Sequence, residues 1–115
     1  METLILPAAS LVAVSLLLGW LAQASARDGL ERNALIGIRT KATMASDVAW
    51  YAGHRAAVSA VRAAAWICAA AGLVAGVLAI VGTRLAVVVV IAGYAALLGL
   101  MTLAAIRAGR AARAV

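Results

Sequence analysis

The sequence contains no phenylalanine, one proline, one cysteine and one histidine among its 115 residues. Each scarcity excludes something. A single cysteine, Cys68, rules out an intramolecular disulfide, and its position inside a long apolar run gives the thiol little thiolate character. We read it as a small packing residue. One histidine, that cysteine and only four carboxylates (Glu2, Asp28, Glu31, Asp47) are too few for a self-contained metal site, which needs several ligands. Nucleophilic catalysis would have only His54 as a base for Ser46, Ser59, Thr40 or Thr43. Hydroxyls of this kind are ordinary helix caps. The sequence therefore predicts neither an enzyme nor a cofactor site. Charge is scarce as well, at 12% of residues, where soluble domains carry about a quarter.

Charge is absent altogether from three long apolar runs, about 3–26, 63–81 and 85–106. Each is long enough to cross a hydrocarbon core of ~30 Å, which takes about 20 helical residues. Barrel strands would alternate apolar and polar residues, whereas Val87 to Ile91 and Ala95 to Leu98 are apolar without alternation. The expected fold is a single-domain, all-α membrane protein. It has three transmembrane helices, a polar loop and an amphipathic extension of the second helix. No ionisable group lies inside a span, which argues against proton- or ion-coupled transport.

The charge that is present is asymmetric. Arg27, Arg32, Arg39, Lys41, Arg55 and Arg62 follow the first run, and Arg107, Arg110 and Arg113 follow the third; only Arg84 lies in the turn between the second and third. Nine of ten basic residues thus fall on one side of a three-span arrangement. The positive-inside rule places that side in the cytoplasm, with the N-terminus out and the C-terminus in. The net charge of +6 is accounted for by topology and by anionic lipid headgroups. Without a soluble recognition module, no nucleic-acid role is expected. Ala22-Gln23-Ala24 and Ala24-Ser25-Ala26 fit a small-x-small cleavage pattern. The first run lacks a basic n-region and is longer than a usual h-region, so we read it as a retained span. Cleavage would leave a two-span hairpin.

Punctuation along the chain is sparse. Pro7 sits in the first turn of the first span, where a missing N–H costs little. Trp20 is placed as an interfacial anchor near the end of that span. Residues 30–44 form an irregular loop at the membrane surface, interrupted by Gly37. Ser46-Asp47 predicts a helix start: the hydroxyl caps first-turn N–H groups and the carboxylate complements the dipole. One continuous helix can run from there to Gly82. Trp50, His54, Ala57 or Val58, and Val61 share one face of its extension, with Tyr51, Arg55 and Arg62 on an adjacent face. Gly82-Thr83-Arg84 is a tight turn, making the last two spans an antiparallel hairpin. Gly72 and Gly76 form a GxxxG that serves close helix packing, within the chain or between two copies in a homo-oligomer.

Polar chemistry concentrates between Asn33 and Arg55. Asp47, two turns before His54, can orient the imidazole or shift its pKa; alternatively His54 is an interfacial residue bonded to loop backbone. Arg39 and Arg55 can make forked contacts to phosphate or carboxylate, or snorkel to headgroups. The ordered set Asn33, Gly37, Arg39, Thr40, Thr43, Ser46, Asp47, Trp50, His54 and Arg55 resembles the motif of the SdpI family of small bacterial membrane proteins, in the short form with that domain alone. Two positions depart from it: Lys41 stands where the family carries proline, and Val48 where it carries an acid. The resemblance implies a non-enzymatic protein of the bacterial cytoplasmic membrane. It also implies toxin immunity or signalling by recruitment of a partner, such as a toxin or a regulator, since the founding member protects against a secreted toxin and holds a repressor at the membrane. On this view Arg39, Thr40, Asp47, Trp50, His54 and Arg55 bind the partner or headgroups, Trp50 supplying apolar area. Asn33, Gly37, Thr43 and Ser46 shape the loop. The alternatives are an accessory subunit of a larger membrane complex, resting on Gly72 and Gly76, and a channel or transporter component.

Overall fold

The computed structural model describes residues 2–115. After a short 3-10 turn over Glu2–Leu4 come three helices: α1 (Ile5–Ala26), α2 (Asp47–Val81) and α3 (Leu85–Arg113). A second 3-10 turn, Thr43–Ala45, precedes α2. No strand occurs among the described residues. All three helices are long and apolar enough to cross a membrane.

Local chemistry sets the boundaries. Ser46 is extended and its hydroxyl accepts from the Ala49 amide, capping α2. At the other end Gly82 takes φ +90°. Its amide and that of Thr83 both bond the Leu78 carbonyl, the left-handed cap that only glycine adopts without strain. α1 ends in the same motif with Asp28 at φ 52°, the Gly29 amide reaching the Ala24 carbonyl at 2.8 Å. The third helix runs one and a half to two turns beyond the apolar stretch that ends at Ile106. Alanine-rich sequence favours helix, Ala108, Gly109 and Ala112 are buried, and Arg110 and Arg113 sit at the negative end of the dipole. The arginines at 107, 110 and 113 are thus residues of a helix.

α2 is the central element, packed along most of its length against both α1 and α3, which touch each other little. Alanine makes this closeness available. Ala57, Ala60, Ala64 and Ala75 are fully covered, and small side chains let helix axes approach where lipid supplies no hydrophobic drive. A Cβ on Gly72 would lie 2.7 Å from Val12 Cγ2 and 2.8 Å from the Ala8 carbonyl oxygen, so this face of α2 is closed by α1; Gly76 has room, its nearest atom being Ala8 Cβ at 4.0 Å. Gly93 brings α3 against Ala71 and Leu11. A hydrogen bond between Ser10 and Tyr94 joins α1 to α3. Hydroxyls inside the spans bond back to their own helices, Ser15 to the Val12 carbonyl and Thr102 to the Leu98 carbonyl, as an apolar solvent demands.

Candidate functional site

The loop between α1 and α2 folds down over the first two turns of α2 and forms a cap. Trp50 and His54, one turn apart on α2, lie beneath it, 0% and 2% exposed. The indole Nε1–H donates to the Leu30 carbonyl at 2.8 Å. The imidazole makes two bonds: Nδ1 to the Trp50 carbonyl at 2.8 Å and Nε2 with the Ile38 amide at 2.9 Å. A carbonyl can only accept and an amide N–H can only donate, so these partners fix the neutral ring with its proton on Nδ1. The two rings are tilted, with centroids 4.1 Å apart.

The loop is shaped to make this possible. Gly37 adopts φ +117°, and a Cβ there would lie 2.8 Å from both His54 Nε2 and Trp50 Cη2. Backbone conformation and space thus both require glycine. Asn33 organises the preceding turn: its Oδ1 accepts from the Leu35 and Ile36 amides, and its Nδ2 donates to the Glu31 and Ile36 carbonyls. Thr43, fully buried, donates to the Ile38 carbonyl at 2.7 Å and accepts from the Thr40 amide, while Thr40 Oγ1 accepts from the Thr43 amide. Ile38 is therefore held at both backbone groups, by His54 and by Thr43.

Two ion pairs fasten the edges of the cap. Arg55 reaches Asp28 at 2.7 Å, and Arg32 reaches Asp47 at 3.3 Å while also donating to the Met44 carbonyl. Asp47 is thus turned outward to Arg32 and does not orient His54, because the Trp50 carbonyl of α2 and the Ile38 amide of the loop already saturate the imidazole. The expectation that Trp50 offers apolar area to a partner is likewise corrected: the chain's own loop covers it. Arg39 is exposed and donates to the Asn33 carbonyl at 3.2 Å. Burial of the imidazole lowers the His54 pKa from its ordinary 6.5, with the Trp50 carbonyl bond opposing in part. Among the described residues no three metal-ligating side chains come together.

Sequence reasoning missed Gly53. A Cβ there would meet Thr43 Cγ2 at 2.8 Å and the Ala108 carbonyl oxygen at 2.9 Å, so this position lets cap, α2 and α3 meet. Its only signal was a glycine between two buried aromatic positions of a helix.

The cap and the two helices behind it coincide with a family match: residues 29–106 fit the SdpI/YfhL protein family. The chain belongs to that family. The matched region lies wholly after α1 and takes in the cap from Gly29 onward, all of α2, and α3 as far as Ile106. No curated protein and no solved structure matches the chain. In this member of the SdpI/YfhL family, the Asn33-to-Arg55 motif divides by position. Gly37, Thr43, Trp50 and His54 face inward and hold the cap. Arg39, Asp47 and Arg55 lie on its outside.

Proposed function

We propose that this protein is a non-enzymatic SdpI-like membrane protein of a bacterial inner membrane that recruits a protein partner at its cytoplasmic face, in toxin immunity or membrane signalling. The observation that carries this reading is the turn at residues 33–39. Leu35 is 88% exposed and Ile36 is also exposed, although both are tied through their amides to the Asn33 side chain. Arg39 is fastened to the Asn33 carbonyl on the same turn. Two apolar side chains and a guanidinium are thereby presented together on a backbone already ordered. A pre-ordered segment loses less conformational freedom on binding. Cap residues Trp50 and His54 act in this reading by positioning that turn. The accessory-subunit alternative needs the GxxxG face free for a foreign helix, and α1 lies against Gly72.

The test is co-purification in mild detergent from native cells, with bound proteins identified by mass spectrometry. A Leu35→Asp, Arg39→Glu variant leaves the buried cap residues intact and is expected to lose a partner that wild type retains. Recovery of the same proteins by both would remove this turn as the recruitment surface.

A further inference from the structure

A groove of about 410 Å³ runs between the loop and the last three turns of α3. Its mouth carries Lys41 and Arg113, with Thr40 beside them, and its floor is the stripe Thr102, Ala105 and Ile106. Going from Arg113 to Thr102 the groove follows α3 for about 16 Å at 1.5 Å per residue, passing from cationic to apolar as the helix enters its transmembrane stretch. Gly109 lies between. The Arg113 guanidinium folds back along the helix over it, Nη1 lying 3.2 Å from where a Cβ would stand, so that the charge points along the groove toward the membrane. Neither cation is neutralised among the described residues, where the two ion pairs engage Arg32 and Arg55, and no hydrogen bond is made by either side chain.

We propose that this groove is a binding site for one anionic phospholipid. Its phosphate lies between Lys41 and Arg113, and an acyl chain lies along Ala105 and Ile106. Charge complementarity selects the headgroup. The apolar floor selects a lipid over the carboxylate of a soluble partner, because it continues into the helix segment that lipid chains already surround. The site is separate from the 33–39 turn, so its fate does not decide the recruitment reading.

Native mass spectrometry of the full-length protein, titrated with phosphatidylglycerol and with phosphatidylcholine of identical acyl chains, tests the site. Wild type is expected to hold one phosphatidylglycerol in preference to phosphatidylcholine. Lys41→Gln with Arg113→Gln should weaken that binding roughly ten- to thirtyfold, the scale for two basic groups at a lipid surface. Arg27→Gln with Arg110→Gln removes the same charge outside the groove and should leave binding unchanged. Equal binding of the two lipids by wild type, or an equal loss in both double variants, would overturn the proposal and leave only general attraction between a basic surface and anionic lipid.

Discussion

His54 illustrates how one side chain can be fixed by its partners. With Nδ1–H given to the Trp50 carbonyl and Nε2 accepting from Ile38, a second ring proton would face an N–H donor in a buried site. Its folded-state pKa is accordingly depressed below 6.5. The sign follows: above pH 6.5 the histidine's contribution to cap stability is fully present, and it is lost as pH falls from 6.5 through the lower folded value. The protection factor of the Ile38 amide against exchange should therefore fall on acidification below 6.5, while imidazole nitrogen shifts at pH 6.5 report a ring that is more neutral than charged. A ring more charged than neutral at pH 6.5 would contradict this. His54→Ala should abolish the His54-dependent part of that acid sensitivity. It should also cost roughly 1–3 kcal/mol for leaving a buried backbone group without its partner, measured by thermal unfolding in detergent. Gly37→Ala meets two obstacles, the backbone at φ +117° and rings 2.8 Å away. Backbone strain alone is worth about 1–3 kcal/mol, so its melting temperature should fall at least as far as that of His54→Ala.

At the scale of helices, the two glycines of the GxxxG separate. Gly72→Leu drives a side chain into Val12 and the Ala8 carbonyl and should part α1 from α2, whereas Gly76→Ala, with 4.0 Å available, should leave thermal stability within about 0.5 kcal/mol, the range of substitutions that disturb no packing. If Gly76→Ala proves as damaging as Gly72→Leu, another helix occupies this face in the folded protein. The elements themselves were legible in the sequence. Ser46 and Gly82 are local signals and mark both ends of α2 as expected, and uncharged runs mark the spans. What was not legible depends on contacts far apart in the chain. A loop-backbone partner for His54 was one of the two readings the sequence offered, and Ile38 supplies it; which residue does so, and the bond from Trp50 to Leu30, leave no periodic trace, so an amphipathic face looked open when a loop in fact covers it. Asp47 and His54 share a side of the helix in sequence, but Arg32, fifteen residues upstream, claims the carboxylate. The continuation of α3 to Arg113 escaped for a different reason: charge marks where a span leaves the hydrocarbon, and a helix need not end there.

The whole molecule is 51 Å long and about 20 Å across. A hydrocarbon core takes up about 30 Å of that length, leaving roughly 20 Å to be placed outside it. The turn at 82–84 is too short to hold much of the remainder, so most of it lies at the other end, where the cap, the extension of α2 and the end of α3 come together. That same end carries nine of the ten basic residues. Shape and charge thus single out the same end, and from that charge we propose that the cap and the end of α3 face the cytoplasm and the 82–84 turn the outside. The measurement is thiol accessibility in intact cells, starting from Cys68→Ser to remove the native thiol. Thr83→Cys should react with a membrane-impermeant maleimide from outside, and Ala42→Cys only after the membrane is permeabilised. The reverse pattern would put the cap outside. A partner recruited there would then be extracellular, such as a secreted toxin, and the recruitment of a cytoplasmic regulator would be excluded.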